Sequence, residues 1–125
     1  MKSVYLTYSG YNCEAVLQTM ELLIRNGYGL MCECMLPYGT DPAEQAHRMI
    51  CEADAVIAVI THDAVDCPYM ARDLAWAKEA NVKLLPVAVG DAPLPHGLGT
   101  ACMVSEYPTE GEMAAVLAAL EEILG

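Results

Sequence analysis

The sequence has few basic residues. Only 6 Lys and Arg stand against 17 Asp and Glu, which gives a formal net charge of −11. Nucleic acids and anionic membrane surfaces are bound by Lys and Arg side chains that neutralise phosphates. The charge balance therefore argues against both as partners. It indicates a well-solvated surface, or an acidic face that pairs with a basic protein.

Long apolar runs are also lacking. No stretch approaches the roughly 20 residues that are needed to cross a bilayer. The first residues lead directly into a strand pattern, without the three regions of an export signal. We therefore expect a cytoplasmic protein. Its 125 residues, of which 55% are hydrophobic, are enough for one domain spanning 1–125. Whether that domain was excised from a longer protein is left open.

Signatures of metal and cofactor sites are missing as well. The 6 cysteines include no Cys-x-x-Cys pair, and the 3 histidines are scattered along the chain. We expect reduced thiols and no metal site. No Gly-x-Gly-x-x-Gly follows a strand, which argues against a Rossmann site. No permanently bound cofactor is therefore expected.

What the sequence does contain is an alternation of strand and helix patterns along its whole length. Asp41 followed by Pro42 is a strong helix start, and Thr109 with Glu112 forms a capping box for the last helix. The third helix is predicted to begin at Pro68, and Asn12 can cap the first. The apolar positions of that first helix, which recur at a helical spacing, are Val16, Leu17, Met20, Leu23 and Ile24. The predicted strands cover residues 4–8, 28–33, 55–60, 84–89 and 101–104.

Apolar strands that alternate with helices predict a parallel sheet covered on both faces. At this size the common solution is a three-layer, flavodoxin-like α/β fold of five parallel strands in the order 2-1-3-4-5. Pro86 cannot donate to a strand ladder, so its strand should lie near an edge or be bulged there. Ligands of such sheets bind at the carboxyl ends of the strands, which places residues 9–11, 36–40, 61–67 and the segment from Gly90 onward around one rim.

Five segments in order resemble Toll/interleukin-1 receptor (TIR) domains, including bacterial ones. The opening strand ends in Thr7-Tyr8-Ser9, and Leu36-Pro37-Tyr38-Gly39 resembles the family's BB loop with its proline one place early. Residues 53–61 and 84–87 are similar to the third and fourth strands of the family. Cys67 to Leu74 is similar to its Ser-x-Trp-Cys-x-x-Glu-Leu segment.

The resemblance implies one of two functions. Some TIR domains cleave NAD at the nicotinamide–ribose bond, as NAD hydrolases or as synthases of ADP-ribose signals in antiphage defence. Others are scaffolds that associate through the BB loop, here residues 36–39 (Leu36, Pro37, Tyr38 and Gly39). The implied partners are accordingly NAD as a substrate and other TIR domains, as homo-oligomers or filaments.

For the enzymatic function, the resemblance makes Asp73 the catalytic residue, because it stands where the family has Glu. A carboxylate beside the ribose stabilises the cation that forms when nicotinamide leaves. Asp is one methylene shorter, and a displacement of about 1 Å can cost about 10²-fold in rate. The expected substrate-binding residues are Thr7, Tyr8, Ser9, Tyr38, Cys67, Tyr69, Arg72 and Trp76.

Several alternatives stay open at this stage. Asp73 could be a solvated carboxylate near a helix start, and Glu33 is a weaker second candidate for the catalytic acid. Arg72 could pair with a neighbouring acid, and His62 is a rim histidine without an evident partner. A catalytically weak association domain is the main alternative function. A flavodoxin-like FMN electron carrier is a more distant one, suggested by the loop at residues 7–12.

Overall fold

The computed structural model describes residues 1–9, 13–33, 41–95 and 97–125. Its elements, in chain order, are β1 (Ser3–Tyr8), α1 (Glu14–Arg25), β2 (Gly29–Met31), α2 (Pro42–Glu52), β3 (Ala55–Ile60), a 3₁₀ helix (His62–Asp66), α3 (Pro68–Glu79), β4 (Lys83–Val89), β5 (Cys102–Val104) and α4 (Glu110–Leu124).

The five strands form one parallel sheet in the order β2-β1-β3-β4-β5, which confirms the predicted fold class. Helices α1 and α4 contact each other on one face, and α2 and α3 contact each other on the other. Because side chains alternate along a strand, Val4 and Leu6 of β1 face the α1/α4 layer while Tyr5 faces α2 and α3.

The middle of the sheet is the most deeply buried part of the chain. All six residues of β3 are 0% exposed, as expected for a strand covered on both faces. Pro86 lies in β4 opposite Ala58, and the pairing of β4 with the edge strand β5 begins only at Val87. The prediction that Pro86 lies near an edge of the sheet is therefore confirmed.

Three predicted helix starts are confirmed, and one of them is Pro68, the first residue of α3. The Asp41 carboxylate accepts hydrogen bonds from the backbone N–H groups of Ala43 and Glu44 at the start of α2. Thr109 and Glu112 form the reciprocal capping box of α4. Asn12 lies outside the described residues.

Two details of the sequence analysis are wrong. Leu17 and Ile24 were predicted to face the core, but they are 51% and 63% exposed. The buried residues of α1 are Ala15, Val16, Thr19, Leu22 and Leu23, so the buried stripe lies on the opposite side of Val16 and Leu23 from Leu17 and Ile24. The second strand was predicted over residues 28–33, but β2 contains only residues 29–31 because it is a short edge strand.

Two findings on the described residues concern membrane-spanning helices and metal sites. No helix among them is long and apolar enough to span a bilayer. In the same parts of the chain, no three His, Cys, Asp or Glu side chains are grouped closely enough to hold a metal ion.

Candidate functional site

The candidate site lies where the carboxyl end of β1 meets α3. Thr7 is the last fully buried residue of β1, and it faces the same side of the sheet as Tyr5 because the two are separated by one residue. Helix α3 crosses this side and presents Asp73 to the strand. The side chain that the resemblance makes catalytic is therefore turned inward.

Asp73 is buried and fully engaged. It is 3% exposed, and its Oδ2 accepts a hydrogen bond of 2.8 Å from the Thr7 hydroxyl. Its Oδ1 accepts two more from Arg72, 3.2 Å from Nε and 3.0 Å from Nη2. The interpretation of Asp73 as a solvated surface carboxylate is therefore wrong. Contacts across 66 residues of chain decide its position.

A second carboxylate reaches the same arginine. Nη2 of Arg72 donates to Oε2 of Glu33 at 3.3 Å as well as to Asp73. The expectation that Arg72 pairs with a neighbouring acid is confirmed, and it pairs with two. With all three groups ionised, the Glu33–Arg72–Asp73 cluster carries one net negative charge.

Two aromatic rings of α3 flank the arginine. The guanidinium carbon lies 5.3 Å from the centre of the Tyr69 ring and 4.7 Å from that of Trp76. The Trp76 ring in turn lies 4.6 Å from that of His47 on α2. These cation–π contacts restrict where Arg72 can point, and so they help to orient the carboxylate of Asp73.

A cleft of about 250 Å³ opens beside Asp73. Ligand sites for whole drug-sized molecules occupy roughly 300–1,000 Å³, so this cleft matches part of a nucleotide rather than all of it. Its lining residues are Tyr5, Leu6, Thr7, Tyr8, Glu33, Tyr69 and Asp73. This is the region in which Asp73 and Glu33 face a common space.

The electrostatics of the cleft are dominated by burial. Burial raises the pKa of Asp73 above its ordinary value, although the hydrogen bonds from Thr7 and Arg72 oppose the shift. Burial also raises the pKa of the Tyr5 phenol strongly, and the charges of Asp73 and Glu33 add to that shift. Tyr5 is therefore a neutral wall of the site. The pKa of Arg72 is raised, because its bonds to the two acids outweigh the effect of burial.

The structure brings four of the eight expected substrate-binding residues into or beside this cleft: Thr7, Tyr8, Tyr69 and Arg72. The others lie elsewhere or outside the described residues. The Ser9 hydroxyl is 2.7 Å from that of Thr61. Cys67 packs against the core near Ala58. Trp76 stacks on His47 rather than lining the cleft. Tyr38 lies outside the described residues, as does the whole BB loop, 36–39.

Some site features were missed by the sequence analysis. Tyr5 and Leu6 line the cleft, and the alternation of β1 could have indicated Tyr5, since it shares a face with Thr7. His62 was described as lacking an evident partner, but its Nε2 lies 2.7 Å from the Asp91 carboxylate. That pair is well exposed on both sides, so it contributes little to stability.

A larger cleft of about 520 Å³ lies on the other side of α3. It is lined mainly by apolar side chains such as Leu74, Leu84 and Leu98, and Lys78 is the one charged residue among its described lining. The described residues that line it include no carboxylate, and the smaller cleft beside Asp73 is therefore the better candidate for chemistry.

The fold matches that of TIR domains. The TIR domain of the Toll-related receptor TRR-2 from Hydra magnipapillata superposes with a TM-score of 0.75 at 17% identity, over 98% of each chain. The TIR domains of the activated Roq1 resistosome, which recognises the pathogen effector XopQ, match with a TM-score of 0.63 at 16% identity. That match covers 71% of this chain but only 58% of the Roq1 chain.

The same fold also occurs in an enzyme that acts on a nucleotide. The CMP N-glycosidase BcmB from Clostridium botulinum matches with a TM-score of 0.62 at 21% identity, over 94% of this chain and 99% of that one. At such identities the likeness concerns the fold alone. No family model and no curated protein matches the sequence.

Proposed function

We propose that this chain is a TIR-type enzyme that cleaves NAD at the bond between nicotinamide and ribose. The observation that carries the proposal is the placement of Asp73: a buried carboxylate held by Thr7 and Arg72 in the wall of a nucleoside-sized cleft. NAD acts as a substrate here, without a permanently bound cofactor.

Departure of nicotinamide requires few catalytic groups from the protein. Nicotinamide is cationic in NAD, so it leaves with the electron pair of the broken C–N bond and needs no proton from an acid. What develops is positive charge on the ribose, and a fixed carboxylate next to it stabilises the transition state. Asp73 supplies that carboxylate. Its three hydrogen bonds hold it in place before substrate arrives.

The contacts of Thr7 and Arg72 compensate for the shorter side chain of Asp73. An Asp in place of Glu risks an error of about 1 Å in the position of the charge. In this chain the position of the carboxylate is set from both sides, by the hydroxyl of Thr7 on β1 and by the guanidinium of Arg72. We propose that β1 and α3 position the ribose against the fixed carboxylate, so that Asp73 does not have to move toward the substrate.

The remainder of NAD has to lie outside the cleft, since about 250 Å³ cannot enclose it. Tyr69 is 61% exposed at the cleft wall, where its ring can stack on nicotinamide or adenine. The Nη1 donors of Arg72 have no partner among the described residues, and they can reach an anionic group such as the pyrophosphate.

The test is release of nicotinamide from NAD at protein concentrations that allow self-association. We expect Asp73→Asn and Asp73→Ala to lower turnover by at least about 10²-fold, because the fixed charge is lost. Glu79→Gln is the matched control, since Glu79 is an exposed acid on the same helix, and it should leave turnover unchanged. No turnover by the unmodified chain, or full turnover by Asp73→Ala, contradicts the proposal.

A second candidate is an association domain with little activity. The observation that favours it is the ion pair itself, because Arg72 partly neutralises the charge that catalysis would need. The nicotinamide release assay distinguishes the NAD-cleaving enzyme from the association domain. An inactive chain whose light scattering rises with concentration, and falls in Tyr38→Ala, would support association through the BB loop. A preparation with flavin absorbance would instead support the FMN alternative.

A further inference from the structure

We infer that Glu33 is the general base that deprotonates the nucleophile in this cleft, while Asp73 stabilises the ribosyl cation. The inference rests on the proposed function and deepens it. It assigns separate tasks to two acids that the fold brings together from positions 40 residues apart in the sequence.

The reaction requires such a base when water is the nucleophile. Nicotinamide leaves with the electron pair of the C1′–N bond and becomes neutral. The water oxygen then bonds to C1′ and must release one proton to give neutral ADP-ribose at that position. No leaving group takes this proton, because nicotinamide departs without needing one. A carboxylate near the cleft accepts it and later passes it to solvent.

Asp73 is poorly placed for this task. Its Oδ1 accepts two hydrogen bonds and its Oδ2 accepts one, and only 4% of its side chain is exposed. A carboxylate offers about four acceptor positions, so at most one remains for a water molecule. If Asp73 stabilises the cation, this remaining acceptor position faces the ribose. No acceptor position of Asp73 is then left to take a proton from the nucleophilic water.

Glu33 has the properties that Asp73 lacks. It accepts one hydrogen bond, of 3.3 Å from Arg72 Nη2, through Oε2. Its Oε1 has no partner among the described residues, and 33% of its side chain is exposed, so water has access to it. It lines the same cleft as Asp73. The other polar groups of the lining are hydroxyls, and Tyr5 is kept protonated by burial.

Arg72 sets the distance between the two acids. The same nitrogen, Nη2, donates to Glu33 and to Asp73, so the carboxylates are close neighbours on either side of one cation. Inverting glycosidases likewise use one of two paired carboxyl groups as the general base that activates water, although their other carboxyl group protonates the leaving group, a step that nicotinamide does not need. Arg72 is the positioning residue of this pair.

The discriminating experiment compares two nucleophiles in one enzyme. Hydrolysis uses water, which must lose a proton. Exchange of nicotinamide for a substituted pyridine uses a ring nitrogen that carries no proton, so it needs no base. For Glu33→Gln we expect hydrolysis to fall by about 10²-fold, with exchange changed by less than about threefold. Because both rates come from the same sample, their ratio does not depend on how much of the variant is folded.

Two further variants complete the test. Glu33→Asp keeps a carboxylate at this position on a side chain that is shorter by one methylene, and it should recover part of the hydrolysis-to-exchange ratio. Asp73→Asn should lower hydrolysis and exchange together, because both pass through the ribosyl cation. Glu79→Gln should change neither. A Glu33→Gln variant in which both rates fall equally, or neither falls, overturns the assignment while leaving the proposed function intact. An unmodified chain that neither hydrolyses nor exchanges NAD overturns both.

Discussion

Replacing Thr7 by Val tests the central contact of the site directly. The two side chains have nearly the same shape, so the change removes a hydroxyl donor without opening a cavity. Thr7 is 3% exposed, and its hydroxyl is the only described partner of Asp73 Oδ2, at 2.8 Å. The substitution therefore leaves one oxygen of a buried carboxylate without its hydrogen bond. A hydrogen bond to a charged group contributes about 1.5–3 kcal/mol, and we expect a loss of about 2 kcal/mol in the free energy of unfolding.

The measurement is urea denaturation followed by circular dichroism. With a slope of about 2 kcal/mol per molar urea, the midpoint should fall by roughly 1 M. Thr19→Val is the matched control. Thr19 is 1% exposed and its hydroxyl donates to the Ala15 carbonyl within α1, at 2.7 Å. That carbonyl keeps its helical hydrogen bond, so this change should cost less than about 1 kcal/mol.

A double-mutant cycle identifies the partner. In an Asp73→Ala background the carboxylate is absent, and Thr7→Val should then cost only a few tenths of a kcal/mol. An equal loss in both backgrounds would refute the argument that Thr7 acts through Asp73. So would a Thr7→Val variant as stable as the unmodified chain.

Two other predictions concern pH and capping. The pKa of Asp73 is raised in the folded chain, mainly by burial, so folding favours its protonated form. Its contribution to stability is therefore fully present below the unfolded pKa and is lost as pH rises through the folded pKa. Asp73→Asn should flatten that part of the stability–pH profile from urea denaturation, and an unchanged slope would contradict the burial argument. Separately, Thr109→Ala removes the acceptor for the backbone N–H of Glu112 at the start of α4 and should cost about 1 kcal/mol in thermal or urea unfolding. No measurable loss would show that the cap is dispensable.

The fold was predictable because its signals are local and repeated. The apolar strand at 55–60, the Asp41 cap and the Thr109 capping box each appear within a few residues, and all three are confirmed. Errors arose where a local pattern was compatible with two outcomes. The apolar residues of α1 suggested a wide buried face, and only the packed neighbours showed that Leu17 lies outside it.

The candidate site was predictable only in part. Asp73 was singled out from a resemblance, and the segment around it also contains Tyr69 and Arg72. Its surroundings could not be read from that segment. The spacing of residues along α3 does not show whether an acidic side chain of this helix faces solvent or packs against β1. Glu33 remained a weaker candidate for the same reason, since nothing near it in sequence points to Arg72.

Periodicity, caps and apolar runs determined the alternation of strands and helices, and that alternation predicts a parallel sheet whose strands end at one common rim. These signals suffice because hydrogen bonding and side-chain direction within an element depend on neighbours a few residues apart. The burial of Asp73, its bonds to Thr7 and Arg72, and the cleft it shares with Glu33 were decided by tertiary packing alone. They join β1, the segment that follows β2, and α3 across 66 and 39 residues, and such contacts form only when the sheet and its helices are assembled.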